Sequence, residues 1–183
     1  MSLKKAAFLD RDGVINIDHA YVHTPEEFRF IPGVFEACRK LQSMGYLLII
    51  VTNQSGIGRG YYTEEDFQTL CDWMRKEFSR EGVKISDIFF CPHHPEKALE
   101  PYRCDCNCRK PKPGMLLAAQ KKWDIDMKAS LMVGDKTADM QAALAAEVTT
   151  RILVGKDGLK KPEMIPECTA TAQTLLDAVN LIE

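Results

Sequence analysis

The sequence predicts a doubly wound α/β fold, an open parallel sheet covered by helices on both faces. Three observations carry that expectation. Short runs along the chain are almost entirely apolar, as strands buried on both faces must be. Stretches with helical periodicity separate them, and several runs end abruptly in polar, reactive residues, as ligand-binding strand ends do.

In order, the first strand is expected at Ala6 to Leu9, followed by a helix in which Val34, Phe35, Cys38 and Leu41 share a face. Leu47 to Val51 reads as the second strand. The next helix carries Phe67, Leu70, Cys71, Met74 and Phe78 on one stripe. Thr63 with Asp66 three residues later resembles a capping box there, and Gly82 supplies a stop. Strands follow at Ile85 to Phe90, Leu131 to Val133 and Ile152 to Val154, with helices at Gly114 to Trp123, Thr137 to Glu147 and Ala172 to Ile182. Cysteine and methionine on such stripes are ordinarily core filling, so Cys38 and Cys71 are assigned no function. Gly155 to Cys168 lacks a pattern and is expected to be a mobile surface loop. The run Ser55-Gly56-Ile57-Gly58-Arg59-Gly60 lacks the Gly-Lys-Ser/Thr ending of a phosphate loop and reads as a flexible turn.

Composition bounds the function classes. The 183 residues, 45% apolar and 27% charged, fit one globular domain spanning 1–183. Folding at this length buries roughly 70% of the unfolded chain's surface. With 24 basic against 26 acidic side chains there is no general electrostatic footprint for nucleic acid. The longest apolar run, Tyr46 to Val51, has six residues, against about 20 for a membrane span. No membrane partner is therefore expected. Ala6 to Leu9 is too short for the core of an export signal, so cytoplasmic residence is expected; separately, the chain is expected to be a monomer. Seven cysteines, an odd number, argue against a disulfide framework.

The strand ends hold the chemistry. The first gives Asp10-Arg11-Asp12-Gly13, the second Thr52-Asn53-Gln54, the third opens into a cysteine cluster, and the fourth gives Gly134-Asp135 with Asp139 beyond. One aspartate after a strand is ordinarily a turn or a helix cap. Coincident endings on several strands are harder to ascribe to turns alone. Asp10, Asp12 and Asp135 at one sheet edge would repel one another unless a cation lay between them, and all-oxygen ligands select a hard cation. Mg²⁺ fits, since it usually binds through one or two carboxylates plus a substrate phosphate. Thr52 can donate to that phosphate, and Lys110, restrained by Pro111, can bring a point charge to it.

Asp10-x-Asp12-Gly13, Thr52, Lys110 and Gly134-Asp135-x-x-x-Asp139, in this order, resemble the four motifs of haloacid-dehalogenase-type phosphatases. Asp18-His19-Ala20-Tyr21, Thr52-Asn53-Gln54-Ser55-Gly56, Cys91-Pro92-His93-His94-Pro95 and Cys106-x-Cys108-Arg109-Lys110-Pro111 narrow the resemblance to the heptose-bisphosphate branch of that family, from about Lys5 to the C-terminus. The resemblance implies a Rossmann-like fold and hydrolysis of the 7-phosphate of a heptose 1,7-bisphosphate, on the route to lipopolysaccharide. Asp10 would attack phosphorus and become an aspartyl phosphate, and Asp12 would protonate the leaving alkoxide and then deprotonate water. Thr52, Lys110 and the metal would stabilise the transferring group. The family holds its Mg²⁺ by the first carboxylate, the backbone carbonyl of the second and the fourth-motif Asp, here Asp10, Asp12 and Asp135. Lys136 and Asp139 follow, one near substrate and one orienting neighbours, with helix capping an alternative for Asp139.

Cys91-x-His93 and Cys106-x-Cys108, with 12 residues between the pairs, supply the soft ligands of a closed tetrahedral zinc site. Zinc would staple the loop at about 91–108 that delivers Arg109 and Lys110, with Cys104 and His94 as surplus donors. No interval between motifs can hold a cap domain, so the site should be open. Resemblance assigns Asp18, His19, Tyr21, Asn53, Ser55, Arg109 and Lys136 to the sugar bisphosphate. Rival readings are a histidinol-phosphate phosphatase, a nucleic-acid 3′-phosphatase and a non-catalytic zinc-nucleated interaction module.

Overall fold

Six parallel strands in the order β3-β2-β1-β4-β5-β6 form the sheet of the computed structural model, which describes residues 2–183. They are β1 (Ala6–Leu9), β2 (Leu47–Asn53), β3 (Asp87–Cys91), β4 (Leu131–Gly134), β5 (Thr150–Val154) and β6 (Ala170–Ala172). The helices are α1 (Val34–Ser43), α2 (Ser55–Gly58), α3 (Glu64–Arg80), α4 (Gly114–Trp123), α5 (Thr137–Ala145) and α6 (Leu175–Leu181).

Strand side chains alternate between two cores. Ala7, Leu9, Leu48, Ile50, Val133 and Ile152 pack with residues of α1, α3 and α6, while Ala6, Phe8, Ile49, Val51, Met132 and Leu153 pack with α4 and α5. That two-residue alternation, apolar on both faces, makes the sheet doubly wound. Strand order reverses between β1 and β4, where Leu9 pairs with Val133, so the ends carrying Asp10 and Asp135 flank the reversal. Ligands bind at such a switch point.

Most expected elements form. The capping box of α3 is complete: Asp66 N–H donates to Thr63 Oγ1 at 3.0 Å, and Thr63 N–H to the Asp66 carboxylate at 2.9 Å. Three expectations need correction. The strand expected from Ile85 begins at Asp87. The C-terminal helix starts at Leu175, capped by Thr174, because Ala170–Ala172 becomes the edge strand β6; three residues of Ala-Thr-Ala carry too little pattern to be read as a strand. The run at Ser55 is a helical turn, not a flexible one: a Cβ on Gly56 would collide with the Tyr62 ring and one on Gly58 with the Pro92 carbonyl. Its glycines serve close packing.

The stretch after β5 is tied down at its start. Asp157 N–H donates to the Gly13 carbonyl at 2.9 Å, and the Asp157 carboxylate accepts from Asp18 N–H at 2.8 Å. Between β1 and β2 the described chain holds a loop with one 3-10 turn at Pro25–Glu27 and then α1.

Candidate active site

Asp10 leaves β1 with its N–H bonded to the Val133 carbonyl of β4, fixing the two strand ends side by side. Its Oδ1 accepts from Arg11 N–H at 2.9 Å and from Lys110 Nζ at 2.9 Å. Burial would raise the Asp10 pKa, but the Lys110 ammonium outweighs it and holds the carboxyl below its usual range. Lys110 is buried too, and donates to the Val51 carbonyl at 2.9 Å and pairs with Asp139 at 2.6 Å. Burial disfavours its charge, and the two carboxylates reverse that and raise its pKa. A buried ammonium with three oxygen partners is satisfied, whereas removing one partner would strand charge.

Asp135 and Asp139 differ in a way the sequence does not show. Both Asp139 oxygens are engaged, one by Lys110 and the other by Lys136 N–H at 3.1 Å at the start of α5. Both Asp135 oxygens are buried with no hydrogen-bond partner. Burial, then the charges of Asp10 and Asp139, push Asp135 up to about 9. Carboxylate oxygens of Asp10, Asp135 and Asp139 all lie within 4.8 Å of one another. Such a buried, unpartnered carboxylate beside two others fits a hard divalent cation, which removes the repulsion. Two glycines make room: a Cβ on Gly13, at φ +89°, would overlap the Asp135 carboxylate, and one on Gly134 would overlap Asp139.

The Asp12 carboxylate faces donors only. Its Oδ1 accepts from Arg11 Nη2 at 2.7 Å and Asn16 Nδ2 at 3.0 Å, and its Oδ2 from Gln54 Nε2 at 3.2 Å. Gln54 Nε2 also donates to Thr52 Oγ1 at 2.9 Å. A pit of about 40 Å³ lined by Asp10, Asp12, Asn53, Lys110, Lys136 and Asp139 opens beside a cleft of about 390 Å³. Asp18, Tyr21, Ser55 and Arg109 line the cleft walls.

Loop 18–21 is built against strain. Ala20 and Tyr21 both have left-handed φ, 60° and 58°, a conformation that costs non-glycine residues about 1 to 3 kcal/mol each. Asp18 Oδ1 accepting from Ala20 N–H supports the turn, and the Tyr21 ring meets Tyr61 edge-on at 4.8 Å.

At the end of β3, Cys91, His93, Cys106 and Cys108 bring one ligand atom each into a group within 4.8 Å. Spacings are 3.3 to 3.6 Å between His93 Nδ1 and Cys108, Cys106 and Cys108, and Cys91 and Cys106, and 2.8 Å between Cys91 and Cys108, tighter than the roughly 3.8 Å sulfur–sulfur edge of a tetrahedron with metal–sulfur bonds of about 2.3 Å but close enough for small side-chain shifts to reach it. Contact with Cys91 Sγ, 2.8 Å away, pulls Cys108 down to about 5, toward the metal-binding thiolate. Cys104 is exposed and outside the group, and His94 Nδ1 accepts from Glu96 and Lys97 N–H instead.

The HAD-hydrolase-like family description matches residues 107–179, the part holding Lys110, Asp135 and Asp139. D-glycero-beta-D-manno-heptose-1,7-bisphosphate 7-phosphatase of Vibrio cholerae is 53% identical over 178 residues, covering 96% of this chain and 92% of that protein. The Escherichia coli K12 protein of the same name is 51% identical over 174 residues, covering 95% and 89%. The chain belongs to this 7-phosphatase family. Among solved structures, the D,D-heptose 1,7-bisphosphate phosphatase of B. bronchiseptica, complexed with magnesium and phosphate, superposes with TM-score 0.82 at 30% identity over 97% of both chains.

For a member of the 7-phosphatase family, the residues read from sequence converge well. Asp10, Asp12 and Lys110 line the pit, Asp135 lies against Asp10, Thr52 is tied to Asp12 through Gln54, and Asp18, Tyr21, Asn53, Ser55, Arg109 and Lys136 line the cleft. His19 is exposed and lines neither cavity. Gln54, Arg59 and Tyr62, assigned nothing from sequence, are cleft residues. Only Gln54 carried a signal, its place directly after Thr52-Asn53.

Proposed function

We propose that this protein is a Mg²⁺-dependent phosphatase that removes the 7-phosphate of D-glycero-D-manno-heptose 1,7-bisphosphate, supplying a precursor of lipopolysaccharide. The observation that carries it is the buried, unpartnered Asp135 carboxylate beside a lysine-anchored Asp10, which lines the small pit next to the cleft. Relatives more than 50% identical that carry the name of this 7-phosphatase support the substrate.

Asp10 is the nucleophile in this reading. Lys110 and Arg11 N–H both hold Oδ1, which fixes the carboxylate plane and keeps it ionised for attack. As the bond to phosphorus forms, the bond to the sugar oxygen breaks, and Asp12 delivers a proton to the departing alkoxide. The same Asp12, now ionised and facing donors from Arg11, Asn16 and Gln54, then accepts a proton from the water that cleaves the aspartyl phosphate. Thr52 and Lys110 stabilise charge on the transferring oxygens. Asp10, Asp135 and the Asp12 backbone carbonyl would hold the magnesium, because Asp139 is already committed to Lys110 and α5. When bound, the cation supplies charge stabilisation to the phosphoryl group.

Cys91, His93, Cys106 and Cys108 would hold a structural zinc, with no ligand position left for water. It would fix the loop from which Arg109 donates to the His93 carbonyl at 3.5 Å. The sugar bisphosphate is the partner in this reading, handled by a cytoplasmic monomer. Comparing kcat/KM for the heptose bisphosphate and histidinol phosphate tests it. A clear preference for the former is expected, and a preference for histidinol phosphate would overturn the reading.

A further inference from the structure

Asp157, three residues beyond β5, joins two parts of the site that lie far from it in sequence. Its N–H donates to the Gly13 carbonyl at 2.9 Å, and its carboxylate accepts from Asp18 N–H at 2.8 Å. Gly13 abuts the Asp135 carboxylate, while Asp18 and Tyr21 line the cleft. Asp157 holds a left-handed backbone, φ 58°, which aspartate adopts more readily than most residues. Gly158 follows in the same region, and its carbonyl accepts from Gln173 Nε2 at 3.1 Å, which anchors this strut to the chain beyond β6. Lys156 beside it is exposed and comes no nearer to Asp18 Oδ2 than 3.8 Å, so it adds little.

We propose that Asp157 is a positioning residue for the substrate: it locks loop 18–21 to the turn after Asp10 and so sets the distance between the sugar contacts and the reacting phosphate. The inference rests on the sugar-bisphosphate reading above and deepens it. Ala20 and Tyr21 carry left-handed backbones, and such strained pairs persist only where the surrounding structure over-determines them. Within the loop, the Asp18 carboxylate accepts from Ala20 N–H at 2.9 Å, so whatever fixes Asp18 fixes the turn. Asp157 fixes it from outside, through a backbone donor and a side-chain acceptor that belong to one residue. The loop, the Gly13 turn and the Asp135 carboxylate behind it thereby keep one register. A loop held in its binding geometry before substrate arrives spares the ordering cost of association, so loosening it acts on KM before kcat.

The test compares wild type, Asp157→Gly and Asp157→Asn. Asp157→Gly keeps the left-handed backbone and the N–H bond to Gly13 but lacks the carboxylate, whereas Asp157→Asn keeps an acceptor oxygen and tolerates the same φ. On heptose 1,7-bisphosphate, Asp157→Gly is expected to raise KM by about 3- to 10-fold with kcat little changed, the scale of one lost hydrogen bond, and Asp157→Asn to stay within about 2-fold of wild type. Turnover of p-nitrophenyl phosphate, which offers the loop no sugar, should be unchanged in both. Amide hydrogen exchange gives a readout that needs no substrate: residues 18–21 should exchange faster in Asp157→Gly, with Asp157→Asn like wild type. An equal loss on both substrates, an unchanged KM or unchanged exchange in Asp157→Gly, or equal impairment of the two variants would overturn the inference and leave the phosphatase reading intact. A wild type that hydrolyses p-nitrophenyl phosphate but not the heptose bisphosphate would instead sink the functional reading, and exchange would still decide whether Asp157 holds the loop.

Discussion

The hydroxyl of Tyr62 donates to the side-chain amide oxygen of Gln54 at 2.5 Å, and that bond decides which end of the amide faces the Asp12 carboxylate. With its oxygen held, Gln54 turns Nε2 toward Asp12 and Thr52. Tyr62 is buried, and burial raises its pKa, so it remains a neutral donor. Gly56 leaves room for its ring.

Tyr62→Phe removes the hydroxyl and frees the amide to rotate. Since one hydrogen bond contributes about 0.5 to 1.5 kcal/mol, kcat should fall by about 2- to 10-fold with KM little changed. Steady-state kinetics on the sugar bisphosphate checks this, and a change confined to KM would contradict it.

Asp10→Asn removes the proposed nucleophile while Lys110 keeps Asp139 and the Val51 carbonyl as partners. Phosphate release should drop by at least about 1,000-fold, as for other lost nucleophiles, in a protein that still melts cooperatively. Retained turnover would remove Asp10 from the covalent step.

Gly13→Ala places a methyl group on the Asp135 carboxylate and forces a left-handed backbone on a non-glycine residue. Displacing a metal ligand in this way should raise the Mg²⁺ concentration needed for half-maximal activity by about 10-fold or more. An unchanged Mg²⁺ titration would show that Asp135 does not hold the cation.

The acidic cluster gives a pH signature. Asp135 has an ordinary pKa of 3.8 and about 9 in the fold, so the native state binds the proton more tightly. A raised carboxyl pKa means stability is fully present below about 4 and is lost as pH climbs toward 9. Mg²⁺ should offset that loss, so the gain in Tm on adding it should be larger at pH 8.5 than at pH 5.5. Equal gains at both pH values would contradict the assignment.

The cysteine loop makes a separable prediction. Cys104→Ser and His94→Ala should keep zinc in elemental analysis, whereas Cys106→Ser should lose it and melt at lower temperature. Retention of zinc by Cys106→Ser would mean that another donor completes the site.

The sequence by itself determined the fold class and the chemistry of the strand ends, because apolar strands, helical stripes and the motifs around Asp10, Thr52, Lys110 and Asp135 are local patterns that survive without coordinates. It could not reach β6, whose Ala-Thr-Ala run pairs only because β5 offers it an edge. Nor could it separate Asp135 from Asp139, or Cys106 from Cys104, since like residues at like spacing differ only in what surrounds them after folding. Tertiary structure alone decided those roles. Hydrogen-bond satisfaction and proximity across the sheet depend on residues about 30 to 140 positions apart, as Lys110 meets Asp139 29 residues away and Asp157 meets Asp18 at a separation of 139. Arg59 and Tyr62 entered the site for the same reason: the turn that carries them packs against the loop holding Tyr21, and no local pattern encodes that contact.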